Sequence, residues 1–240
     1  MIVDAHQHLW TADYAWLADP ALAPIRRDDT VADLRGCLSA AGVDRTVLVE
    51  AARCSADETY EFLAVAAETP EIAGVVGWAS LTDPALRDTL EGYRAAPGGD
   101  LLVGVRDQVQ GRSDDYLMAP AVHAGLRTIA DLGLVNELVV TESQLPSVVF
   151  AASSVPSTFV LDHLGKPRSF ATWRVSAAQR ARFVLCGRQG PARSGARRPA
   201  GPDLRRYRDR DVRLGPHPLK IGAPALRKIR GKYADPDGEI

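Results

Sequence analysis

Apolar positions in the first two-thirds of the chain follow two rhythms that take turns. Short β-branched runs alternate with stretches in which apolar residues recur every three or four positions. The first run covers residues 2–8. A loop over 9–29, rich in Trp, Tyr and Pro, follows it. Thr30 can then cap a helix with Val31, Leu34, Leu38 and Ala41 on one face, ended by Gly42. Residues 45–51 read as a second strand. Ser55-Ala56-Asp57-Glu58 has the form of a capping box opening a helix that stops at Thr69, before Pro70. The alternation continues with strands over 73–81, 101–109, 134–141 and 158–163. Helices over 83–94, 119–132 and 143–154 separate them.

Apolar strands alternating with helices predict an α/β fold built on a parallel sheet. A dinucleotide-binding domain would carry Gly-x-Gly-x-x-Gly after the first strand, and none is present. Polar residues gather instead at the C-terminal ends of successive strands: His6 and His8, Glu50, Trp78, Arg106 with Gln108 and Gln110, and Asp162 with His163. That is where a TIM-type (β/α) barrel places its site. The expected fold is such a barrel, incomplete, with about six of its eight strands. His6 and His8 stand at i and i+2, so in a strand both imidazoles share one face. They could hold a metal together or bracket a substrate carbonyl.

Charge divides the chain in two. Residues 1–167 hold 11 Lys/Arg against 24 Asp/Glu, a balance of −13; residues 168–240 hold 18 against 6, a balance of +12. Three unpatterned cysteines (Cys37, Cys54, Cys186) argue against a disulfide framework or a cysteine zinc site. No stretch is apolar for long enough to span a membrane, and the N-terminus has no basic region leading into an apolar one. The expected location is the cytoplasm.

Asp4-Ala5-His6-Gln7-His8-Leu9-Trp10, Tyr14-x-Trp16-Leu17, Gly42-Val43-Asp44-Arg45-Thr46-Val47-Leu48-Val49, Gly74-Val75-Val76-Gly77-Trp78, Gly104-Val105-Arg106-x-Gln108-Val109-Gln110, Gln144-Leu145-Pro146 and Leu161-Asp162-His163-Leu164-Gly165-Lys166-Pro167 occur in order. Together they resemble the lactonase-type amidohydrolases, the group that includes L-fuconolactonase and 2-pyrone-4,6-dicarboxylate lactonase. The resemblance implies a distorted TIM barrel that hydrolyses a sugar-acid or related lactone. It implies either no cofactor or one divalent, zinc-like metal. His6, His8 and His163 would then be the catalytic residues or the metal ligands. Gln7, Trp10, Trp78, Arg106, Gln108 and Lys166 would bind substrate, with Arg106 offering its planar fork to a carboxylate or hydroxyls. Glu50 stands where the family leads one to expect an uncharged residue, and is read as a capped strand end. Ser80 takes the place of an Asp common in relatives.

The resemblance stops after Pro167. The seventh strand and the Gly-Ser-Asp-Trp-Pro-type motif that ends the eighth, with its catalytic Asp, are both missing. Residues 187–202 are almost entirely Gly, Arg, Pro and Ala. Residues 1–167 therefore read as the barrel portion, and 168–240 as a separate segment that is frameshifted, disordered or both. A barrel so shortened leaves strand edges open to self-association. The expected partner is a small lactone or sugar acid, with no membrane and no nucleic acid. Rival readings are a metal-dependent decarboxylase or amide hydrolase of the same superfamily, or a non-catalytic remnant whose basic tail binds nucleic acid. The frameshift reading expects Ser-Asp-Trp-Pro-like codons in another frame across codons 165–240. Sequencing the gene checks it, and their absence contradicts it.

Overall fold

The computed structural model describes residues 1–167 in full and, beyond them, the backbone of the short strands Phe183–Leu185, Val212–Leu214 and His217–Leu219. Expectations for the rest of 168–240 lie outside the described residues. The sheet runs β1 (Val3–Gln7), β2 (Arg45–Val49), β3 (Ile72–Trp78), β4 (Leu102–Asp107), β5 (Val135–Leu138), β6 (Phe159–Leu161) and β7 (Phe183–Leu185). These strands lie side by side in sequence order, all parallel. Helices α1 (Val31–Ala41), α2 (Ala56–Ala67), α3 (Leu86–Ala95), α4 (Pro120–Asp131) and α5 (Leu145–Ser154) connect β1 through β6 in turn. This is the α/β, TIM-barrel-like architecture expected. Among the described residues the sheet stays open, with β1 and β7 at its edges. Next to the six expected strands lies the short β7, in which Phe183 pairs with Phe159 and Leu185 with Leu161.

Local chemistry sets the element ends. Thr30 and Asp33 form a reciprocal capping box at the start of α1, and Gly42 closes that helix in the left-handed conformation at φ 65°. Ser55 caps α2 through the Asp57 amide, but Glu58 does not complete the expected box. Its carboxylate turns inward and accepts from Tyr14 Oη (2.7 Å) and the Ala51 amide (3.1 Å), fastening the 9–29 loop to the end of β2. The strands end earlier than expected, at Val49, Trp78, Asp107, Leu138 and Leu161.

One hydrophobic core lies between the sheet and its helices. Leu48, Val75, Val105, Leu138 and Leu161 face Leu34, Leu63, Leu90, Leu126, Ile129 and Val148, all buried. A smaller cluster of Val47, Val49 and Val76 is separate from it. Val49 pairs with Val76, and two residues further along Trp78, Arg106 and Glu137 form one rung across β3, β4 and β5. Strand parity thus delivers one face's polar residues to the C-terminal end of the sheet. Among the described residues no helix is long and apolar enough to cross a membrane.

Close packing makes a sign-reversing test. Replacing a helix-interior Gly by Ala normally stabilises by up to about 1 kcal/mol. Gly36 in α1 has open space around its Cα, and Gly36→Ala is expected to follow that rule. A Cβ on Gly125 in α4 would run into the Leu81 carbonyl. Gly125→Ala is therefore expected to cost about 1–3 kcal/mol in urea unfolding. A Gly125→Ala protein as stable as wild type would contradict this packing.

Candidate active site

The C-terminal ends of β1, β2, β4, β5 and β6 meet in a cluster of buried ionisable groups. Arg106 is its centre and is 3% exposed. Its Nε donates to Glu50 Oε1 (2.5 Å), its Nη2 to the Glu50 carbonyl, and its Nη1 to Asp162 Oδ2 (2.9 Å). Nη1 also lies 3.4 Å from His6 Nε2 and 3.8 Å from Glu137 Oε1. Glu50 and Asp162 are fully buried. Leaving such carboxylates without a counter-charge would cost several kcal/mol, so one guanidinium between them is a structural necessity. Glu50 is held from two further sides, by Gln108 Nε2 on Oε1 (2.5 Å) and the Ala52 amide on Oε2 (2.7 Å).

The histidines sit above this floor. His8 Nδ1 donates to the Val49 carbonyl (2.9 Å), which leaves Nε2 as the ring's acceptor. His6 Nε2 lies 3.0 Å from it and also 3.4 Å from Arg106 Nη1, which can only donate, so three groups converge on this nitrogen. His6 Nδ1 lies 3.3 Å from Glu137 Oε1 and 3.6 Å from Asp162 Oδ1. All three of these atoms are buried without a hydrogen-bond partner among the described residues. Burial, opposed by Arg106, pushes Glu137 up to about 7. Burial together with the Glu137 charge pushes Asp162 up to about 6. Burial and the neighbouring His6 keep His8 neutral.

His163 stands at the rim, its ring 5.1 Å from that of His6. Burial, with His6 as a neighbour, lowers it to about 4, so it is unprotonated at neutral pH. It is reached through a run of left-handed residues after β6: His163, Leu164, Gly165 and Lys166 all have φ between 48° and 73°. Only glycine adopts that conformation at no cost, so packing must hold the other three in place. Lys166 Nζ meets Gln110 Oε1, and Gln110 Nε2 donates to Gln108 Oε1 (3.2 Å). A continuous polar chain therefore runs from Lys166 through Gln110, Gln108, Glu50 and Arg106 to Asp162.

The fold thus brings together His6, His8, His163, Arg106, Gln108 and, through Gln110, Lys166. Trp78 shares the Arg106 rung, with a buried indole N–H that has no hydrogen-bond partner among the described residues. Gln7 lies beside the cluster and donates to the His8 carbonyl (3.0 Å). Trp10 belongs to the 9–29 loop, with its indole on the Ile25 carbonyl (3.3 Å) and its ring edge-on to Trp16. Sequence reasoning missed Glu137 entirely and took Glu50 for a strand cap.

His6, Asp162 and His163 offer ligand atoms within 4.8 Å of one another, and the Nε2 atoms of His6 and His8 converge. Imidazoles with one carboxylate suit a zinc-like ion, and the orphaned Asp162 Oδ1 fits a ligand role. Arg106 Nη1, 3.4 Å from His6 Nε2, is a fixed cation at the margin of that position.

Glu137 makes the electrostatics testable in metal-free protein. Its folded pKa is raised, so between the ordinary value of 4.5 and about 7 the folded state holds a proton the unfolded state lacks. Stability from this group is therefore lost as pH rises through that window. Glu137→Gln keeps the neutral form throughout. Relative to wild type it should gain on the order of 1–3 kcal/mol between pH 4.5 and 7.5, read by urea unfolding in chelator. A pH-independent difference would contradict the assignment.

The family model described as Amidohydrolase matches residues 3–217. An L-fucono-1,5-lactonase of Burkholderia multivorans is 30% identical over 205 residues, covering 78% of this chain and 67% of the relative. The L-fucono-1,5-lactonase of Burkholderia ambifaria is 31% identical over 189 residues, covering 75% and 63%. A crystal structure of an amidohydrolase from Burkholderia multivorans with bound zinc superposes with a TM-score of 0.66 at 28% identity, covering 77% of this chain and 68% of that one. The chain spans about two thirds of the length of these relatives. With a family model matched over most of its length and a TIM-barrel-like sheet that gathers its histidines at one end, the chain belongs to the amidohydrolase family.

Proposed function

We propose that this chain is a lactone hydrolase acting on a sugar-acid lactone. The observation that carries the reading is the convergence of His6, His8 and His163 on a buried floor of Arg106 and its carboxyl partners at the C-terminal end of the sheet. The activity of the curated relatives supports the substrate class.

Lactone hydrolysis adds water to the carbonyl carbon and breaks the bond to the ring oxygen, which takes up a proton. His163, unprotonated at neutral pH, accepts the proton of the attacking water and returns it to the departing ring oxygen. In the metal-free site His6 donates from Nε2 to the developing oxyanion, with its Nδ1 beside the Glu137–Asp162 pair. Gln7, Gln108, Lys166, Trp10 and Trp78 line the approach and hold the ring and its hydroxyls. Arg106 balances the carboxylates beneath. His6, His8, His163 and Asp162 would hold a divalent ion; such an ion, when bound, supplies Lewis-acid polarisation of the carbonyl.

His6→Asn, His8→Asn and His163→Asn are each expected to lower kcat/KM for L-fucono-1,5-lactone by about 10²-fold or more. Acid release into a weakly buffered indicator measures it. No lactone consumption by the intact chain, or full activity in all three variants, would overturn the reading. The first result would favour a non-catalytic remnant.

A further inference from the structure

Arg106 is the obvious place for a substrate carboxylate, yet its donors are committed. A carboxylate-binding fork needs two parallel N–H groups on one edge of the guanidinium. The Nε/Nη2 edge is occupied by Glu50, through side chain and backbone carbonyl together. Nη1 is taken by Asp162 and faces His6. Glu50 cannot swing away, because Gln108 and the Ala52 amide fix both its oxygens. The charge balance points the same way. Three carboxyl groups, Glu50, Glu137 and Asp162, surround this single guanidinium. Among the described residues the one other cation in the chain of contacts, Lys166, is at the rim with its ammonium on Gln110. Among the described residues, a ligand carboxylate entering here would meet no free fork and a floor already rich in carboxyl groups.

We infer that Glu50 is a specificity-determining positioning residue: by holding Arg106 to the floor, it restricts the site to uncharged lactones and excludes lactones that bear a carboxylate. This deepens the lactone reading and rests on it. Glu50 touches no substrate; it acts by occupying the edge of Arg106 that a ligand carboxylate would otherwise claim. Removing its charge should release that edge toward the pocket.

Two probes with the same ring separate charge from shape: 2-pyrone-4,6-dicarboxylate and its dimethyl ester. Isothermal titration of the full chain should show wild type binding the ester at least tenfold more tightly than the diacid. Glu50→Gln should gain tenfold or more for the diacid, and the Glu50→Gln/Arg106→Gln double variant should lose that gain. A wild type that prefers the diacid, a Glu50→Gln protein with no gain, or a gain that survives loss of Arg106 would each overturn the inference. Should Glu50→Gln fail to fold, the wild-type Arg106 Nε–H resonance decides. It should be protected from exchange and unmoved by saturating diacid, and a diacid-induced shift would overturn the inference. Failure of the lactone reading looks different. The wild type would then turn over neither probe nor L-fucono-1,5-lactone, while the diacid gain in Glu50→Gln still reports on Arg106.

Discussion

One buried guanidinium governs this structure. Arg106 reaches from β4 to Glu50 at the end of β2 and to Asp162 at the end of β6, with Glu137 of β5 and His6 of β1 in its field. Five strands are therefore tied at their C-terminal ends by charge. Apolar contacts could not do this, because the loops there must stay open to a ligand. Buried ion pairs are weak net stabilisers against an apolar substitute, but removing one partner is costly. The cluster is therefore a specification: the strand ends must arrive in this arrangement or leave bare charges in a dry interior.

The rest of the site follows from that floor. Because Asp162 is turned toward Arg106, the chain leaves β6 through left-handed residues that carry His163 to the rim. Because Glu50 is clamped, Gln108, Gln110 and Lys166 extend the polar network outward rather than inward. Glu58, one turn into α2, holds the Ala51 amide and Tyr14, and so braces the loop that carries Glu50. The histidines face a floor in which three carboxyl groups surround one guanidinium, which offers a ligand carboxylate no favourable place.

Much of this was legible in the residues. The two rhythms located six strands and five helices because apolar spacing directly encodes which face is buried. His6 and His8 were visible as a pair because i, i+2 parity is local, and Arg106 and Gln108 by the same rule. Glu50 was not, because its partner lies 56 residues away and local pattern cannot report a long-range ion pair. Glu137 was lost to a boundary error. With β5 read as 134–141 it fell mid-strand, whereas the strand ends at Leu138 and Glu137 sits at the end that matters. Two consecutive polar residues, Asn136 and Glu137, inside an otherwise apolar strand were the available signal. The open edge at β7 depends on residues whose pattern no longer follows the barrel repeat.

The most direct measurement is a double-mutant cycle on Glu50→Gln and Arg106→Gln, followed by urea unfolding. If Arg106 is held by Glu50 in a dry interior, the two losses should be strongly non-additive, with a coupling of about 2 kcal/mol or more. Losses that add to within about 0.5 kcal/mol would contradict the account, because the two residues would then not be acting on each other.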